Sequence, residues 1–285
     1  MSKKPFIPHD LPPDGIVWEK LISLIGEANR KIARYDGLLS GLINPNVLLS
    51  LLTTNEAVIS SRIEGMQTSL EDVLEVEAGI NQKSESIKID VQEVINYRKA
   101  LWFAEEELKN RDISLSLIKQ IHSILMQSVR GKDKNPGEFR KTQNWIGLQE
   151  TPMDKARFIP PDPLIVKEYM EKLIKFIHSD FPDKLVQLAI VHAQFEVVHP
   201  FLAGNGRIGR LLIPLFLYSK RLLNKPSFYI SEYFENNRGK YYNRLLCISE
   251  HENWQGWIEF FLKAVIVQSD VNTERAKRIM KLDTV

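Results

Sequence analysis

Of the 285 residues only one, Cys247, is a cysteine. That excludes an internal disulfide and a cysteine-built metal centre, and it makes a reducing compartment the expectation. No apolar run approaches the ~18 residues a membrane span needs. Excess charge is missing as well: 38 Lys+Arg against 36 Asp+Glu leave a formal +2, which argues against a nucleic-acid coat or a polybasic membrane binder. The segment 3–15 carries four prolines and lacks the apolar core of a signal peptide, so it reads as an extended arm. Internal repeats and low-complexity stretches are absent. The expectation is a cytoplasmic protein with neither a membrane nor a nucleic acid as partner.

What is present is apolar residues at helical spacing. With 44% hydrophobic residues the chain can bury a substantial core in one domain or two closely packed ones. The spacing predicts helices from Trp18 onward, over 47–60, after Ser69, and over 91–108, 114–127, 164–178 and 185–198. Ser69 followed by Glu71 and Asp72 is an N-cap with acidic first-turn residues, and Ser114 is a second N-cap candidate. Further helices are predicted after residue 204, over 240–249 and over 254–278, with Pro214 a kink in the first of these. Two tracts break the pattern. Residues 82–90 read as a polar connection, and 130–163, rich in Gly, Pro, Asn, Lys and Asp, suits a short hairpin. The fold class is all-α.

The stretch His199–Arg210, HPFLAGNGRIGR, concentrates the chemistry. Pro200 disfavours helix at His199, so one helix ends there. Gly204 and Gly206 flank Asn205 at the start of the next. Glycines let the backbone approach an anion closely, and the N–H groups of a helix start point at it with the macrodipole behind them. Arg207 and Arg210, one turn apart, form a fork for further phosphate oxygens. His199 adds an imidazole able to take a proton from a hydroxyl. Glu196, three residues earlier, is read as a supporter of its helix.

This stretch resembles the signature of the Fic family, HPFx(D/E)GNGRxxR. The resemblance implies a mostly helical fold with a hairpin flap, and transfer of AMP from ATP to a Ser, Thr or Tyr hydroxyl of a protein. It implies His199 as general base, Gly204, Asn205 and Gly206 as the anion hole, Arg207 on the β-phosphate and Arg210 on the γ-phosphate. The flap, residues 140–162, would align an extended stretch of the target protein by strand addition. The segment FYISEYFENNRGKYYNRL resembles the part that closes over the nucleoside, with Tyr241, Tyr242 and Asn243 as adenine-side candidates. Self-modification and homodimer formation are left open. The implied layout is an N-terminal helical domain over 1–90, a core over 91–262 and a helical tail over 263–285.

Two further positions matter. Ser60-Ser61-Arg62-Ile63-Glu64-Gly65 matches the family's inhibitory pattern, (S/T)xxxE(G/N), which implies that Glu64 pairs with Arg210 and that Ser60 bonds nearby. At position 203, where the family places the Asp or Glu that ligates Mg²⁺, this chain has Ala203. The implied Mg²⁺ thus lacks its usual carboxylate. A slow transferase, a nucleotide-binding regulator and an enzyme removing AMP from a protein all remain compatible with the residues.

Overall fold

The computed structural model describes residues 4–41, 45–80, 83–128, 130–147 and 152–282. Among these residues eleven α-helices follow one another: α1 Ile22–Ser40, α2 Pro45–Ile63, α3 Leu70–Glu77, α4 Glu85–Leu108, α5 Leu115–Leu125, α6 Pro163–His178, α7 Lys184–Val198, α8 Asn205–Ser219, α9 Ser231–Asn236, α10 Arg238–His251 and α11 Trp254–Leu282. Among the described residues none of these is long and apolar enough to cross a membrane.

Helix α7 is the centre. Apart from its ends it is buried on every side, which is why its sequence reads LVQLAIVHAQF rather than as one apolar stripe. It packs against α6, α8 and α11, while α1 lies along α11. Helix α8 is buried almost as completely, from Asn205 to Leu217. Helix α2 bridges the two halves by packing on α4, α8 and α9, so its C-terminus can reach the glycine turn. The Asp183 side chain accepts from the N–H groups of Leu185 and Val186 and starts α7. Ser69 and Asp72 form a reciprocal capping box on α3.

Three expectations need correction. The stretch 85–90, read as a connection, is the first turn and a half of α4, because Ser84 caps it by accepting from the Ile87 N–H. The short helix α9 went unpredicted; its first residue, Ser231, is held by Glu56 of α2 through both its N–H and its hydroxyl. The hairpin reduces, among the described residues, to a single antiparallel bridge between Ile146 and Phe158. Its tip, 148–151, lies outside them. Side chains replace the ladder: Gln143 Nε2 donates to the carbonyls of Asn144 and Pro160, and Asn144 Nδ2 to that of Phe201. The proline-rich arm folds back over this region, Phe6 N–H donating to the Ile159 carbonyl at 2.9 Å.

Candidate active site

His199 is the residue at which α7 stops. It takes a left-handed conformation, φ 49° and ψ 60°, since the following proline bars the helical one. Its Nδ1 lies 3.3 Å from the Glu196 carbonyl and donates to it, which leaves Nε2 as the lone-pair nitrogen. Burial pushes the imidazole down to about 4, against the opposing pull of Glu64, so the ring is neutral at pH 7.

The turn that follows is closed from inside. Gly204 sits at φ 76°, where a Cβ would stand 2.9 Å from the Met126 sulfur. Asn205 turns inward: its Oδ1 accepts from the Phe201 N–H and its Nδ2 donates to the Phe201 carbonyl, both at 2.8 Å. The asparagine thus staples the loop, and the anion-facing groups are left to the backbone. His122 buttresses the same loop. Its ring stacks on Phe201 at 3.7 Å and 4°, Nδ1 accepts from the Gly137 N–H, and Nε2 donates to the Ala203 carbonyl at 3.1 Å. Burial holds this imidazole down at about 4, consistent with the single proton those contacts need.

Arg210 and Glu64 meet as the inhibitory pattern implied. Arg210 is 1% exposed. Its Nε donates to Ser60 Oγ at 2.9 Å, and its Nη2 to the Ser60 carbonyl at 2.9 Å and to Glu64 Oε1 at 2.7 Å. Burial works to raise the Glu64 carboxyl, but Arg210 outweighs it and holds the group below the ordinary carboxylate range. The carboxylate also fills a notch: a Cβ on Gly206 would lie 2.3 Å from Glu64 Oε1. Glu64 therefore stands against the first turn of α8, where an anion would sit. The end of α2, one residue before it, is anchored by Arg238 of α10, whose Nη2 donates to the Ile63 carbonyl at 2.6 Å.

A cavity of about 810 Å³ opens beside these groups. His199, Gly206, Arg210, Glu64, Tyr241 and Tyr242 line it, with Glu196, Arg238, Leu245 and the bridge residues Ile146 and Phe158. Gly204, Asn205, Arg207, Asn243 and Ser60 are not in its wall. Tyr241 presents only its ring, because its hydroxyl is bonded to His192 Nε2 at 3.0 Å in the core. Asn243 is exposed and accepts from Arg157 Nη2. Arg207 is committed elsewhere: its Nη1 donates to Glu93 Oε2 of α4 at 2.6 Å, with both side chains buried. Glu196, expected to serve its helix, has its carboxyl in the cavity wall over Gly209, a position any Cβ there would block. Burial raises that carboxyl to about 8, against the opposing effect of Arg210, so it is neutral at pH 7.

The sequence alone marks neither Glu93 nor His122, and it reads Glu196 as a helix residue and Arg140 as the start of the flap. For Glu93 a signal existed: with Asp90 and Asn96 it places polar groups among the buried positions of an otherwise apolar helix face. Its removal carries a clear expectation. Glu93→Ala leaves Arg207 as an unpaired buried cation, a loss of about 3–5 kcal/mol. Thermal unfolding should drop by roughly 10 °C, with Glu93→Gln losing less; an unshifted melt would show that the pair contributes nothing.

With this geometry in view, comparison with known proteins decides the family. The Fic/DOC family N-terminal model matches residues 22–106 and the Fic/DOC family model matches residues 112–217. The chain belongs to the Fic/DOC family. The boundary between the two matches falls between α4 and α5, and α2 with Glu64 lies in the first. Relatives of this Fic chain include a probable protein adenylyltransferase of Aquifex aeolicus, 29% identical over 179 residues, covering 62% of this chain and 51% of the relative. Protein adenylyltransferase fic-1 of Caenorhabditis elegans is 29% identical over 162 residues, covering 54% of this chain and 30% of that one. The Fic chain thus spans about half of one of these relatives and under a third of the other. In fold it is similar to a Fic family protein of Desulfovibrio desulfuricans, with a TM-score of 0.73 at 21% identity over 99% of this chain and 78% of that one. It is also similar to Fic-1 of C. elegans, with a TM-score of 0.67 at 21% identity over 93% and 76%.

Proposed function

We propose that the cavity takes ATP and that the protein moves AMP from it to a Ser, Thr or Tyr hydroxyl of a protein, held back by Glu64. The observation that carries this is the meeting of three groups on one cavity wall: the neutral imidazole of His199, Gly206 at a helix start with Glu64 seated over it, and the Arg210 guanidinium already bound to that carboxylate. A carboxylate seated there is what a phosphate would have to displace.

In the released state the triphosphate lies along the start of α8, its terminal phosphate on Arg210 where Glu64 now sits. The target hydroxyl attacks the α-phosphorus in line. A new O–P bond forms, the bond to the β-phosphate oxygen breaks, His199 Nε2 takes the hydroxyl proton, and pyrophosphate leaves. Catalysis is positioning and charge stabilisation. Tyr241 and Tyr242 supply ring surface for the base. The segment 140–162 is the docking edge for the target, through backbone pairing next to the Ile146–Phe158 bridge. Arg207, bound to Glu93, acts by fixing α8 against α4 rather than as a free phosphate fork.

The residues present do not fit a protein-held Mg²⁺. Ala203 offers a methyl group, its carbonyl is taken by His122, and no cluster of three His, Cys, Asp or Glu occurs among the described residues. No step above is routed through a metal. Ala203 also favours a second reading, a nucleotide-binding regulator that turns over slowly or not at all. Intact-mass measurement after incubation with ATP and Mg²⁺ separates the two. The transferase reading expects an AMP-sized increase on the protein or a bait, and on the order of tenfold more in Ala203→Asp. The regulator reading expects nucleotide binding with an adduct only in Ala203→Asp. No adduct in either protein, with or without Glu64→Gly added, rejects transfer.

A further inference from the structure

Arg140 opens the flap, and its side chain never reaches the surface: the residue is 2% exposed. Its Nε donates to the His199 carbonyl at 2.9 Å, and its Nη2 donates to the Pro161 carbonyl at 2.5 Å and the Val198 carbonyl at 3.4 Å. Nη1 lies 3.5 Å from the Thr142 carbonyl. Its backbone N–H donates to the Pro200 carbonyl at 2.9 Å. Three consecutive carbonyls of the loop, those of residues 198, 199 and 200, therefore end on one residue. Its partners are all carbonyls, and Asp162 acts on it only at longer range, while burial weakens the group to about 10.

A guanidinium buried against neutral acceptors is costly to keep. A neutral amide could satisfy one or two of these carbonyls, but only the planar five-donor fork spans four of them across two chain segments. The loop it grips contains a non-glycine residue at φ 49°, a conformation that persists only when its surroundings impose it. That residue is His199.

We propose that Arg140 is the positioning residue of His199, fixing the left-handed turn that aims the imidazole into the cavity and tying it through Pro161 to the flap. This rests on the reading of His199 as general base. The charge has a second consequence. Lying behind the loop with no ion-pair partner among the described residues, it disfavours a proton on the ring, whereas Glu64, just past the end of α2, favours one, and Nδ1 is held by the Glu196 carbonyl. Arg210 of α8, Lys155 and Arg157 of the flap and Arg238 of α10 share the same cavity. Arg140 thus acts in two ways, through a fork that sets geometry and a charge that adds to the larger effect of burial against protonation.

Arg140→Lys keeps the charge and loses the fork; Arg140→Met loses both. In Arg140→Lys made in the Glu64→Gly background, kcat for AMP transfer should fall at least tenfold with KM for ATP changed less than about twofold. The His199 ring N–H signal, protected by the Glu196 carbonyl in the parent, should be lost to exchange, while the titration midpoint of the ring stays put. In Arg140→Met the midpoint should rise as well. The ring signals need no turnover, so a Glu64→Gly protein that makes no AMP adduct while the Arg140 variants still show these changes would reject the transfer reading and keep the positioning role. Folded Arg140→Lys with the parent's kcat and ring N–H protection overturns the proposal, whether or not Arg140→Met folds.

Discussion

Glu64→Gly should raise AMP transfer roughly ten- to a hundred-fold at limiting ATP. The carboxylate occupies Arg210 at 2.7 Å and fills the notch over Gly206, so nucleotide must first break a charge-assisted hydrogen bond. Such bonds contribute about 1.5–3 kcal/mol, and each 1.4 kcal/mol is about a factor of ten. The Glu64 side chain is 35% exposed, and solvent screening places the effect toward the lower end of the range. The restraint also has a pH sense. Because Arg210 holds the Glu64 carboxyl below its ordinary range, the ion pair is intact above the unfolded carboxylate value and is lost only as pH falls through the folded one. Alkaline pH should therefore not lift the restraint, and an equal rate in parent and variant would remove Glu64 from any inhibitory role.

His199→Ala, made in the Glu64→Gly background so that a rate exists to lose, should lower kcat by about 10²–10⁴-fold. Nucleotide affinity should be nearly unchanged, because the ring is on the hydroxyl side of the reaction rather than on the phosphates. Burial keeps the imidazole at about 4 with Glu64 pulling the other way. Removing Glu64 takes away that pull, so the acid limb of the rate profile in the background variant should lie below the parent's. A neutral base across the physiological range gives a flat profile there. A variant retaining more than about a tenth of the rate would leave the proton acceptor to another group.

The central loop was legible because its chemistry is local. Pro200 stops a helix, Gly204 and Gly206 open the next, and the partners Ser60 and Glu64 lie within one five-residue pattern. The helices were legible for the same reason, their apolar spacing and caps such as Ser69 and Ser114 being local. What escaped was set by distance along the chain. Arg207 looked like a phosphate ligand because nothing near it in sequence competes for it; its partner Glu93 lies 114 positions away. Asn205 is the local exception: it looked like a ligand of the anion, yet its amide turns inward to satisfy Phe201, only four residues back. Arg140 read as part of a hairpin, but the carbonyls it holds belong to residues 198 and 199. The flap read as two strands because alternation is visible in sequence, whereas the side-chain bonds of Gln143 and Asn144 that substitute for a ladder are not.

Calorimetric titration of a non-hydrolysable ATP analogue into the parent and into Glu64→Gly tests the account at its centre, because it asks whether one carboxylate and one triphosphate compete for Arg210. Binding at least tenfold tighter in the variant is the predicted result. Equal affinity in the two proteins, or no heat in either, would contradict it.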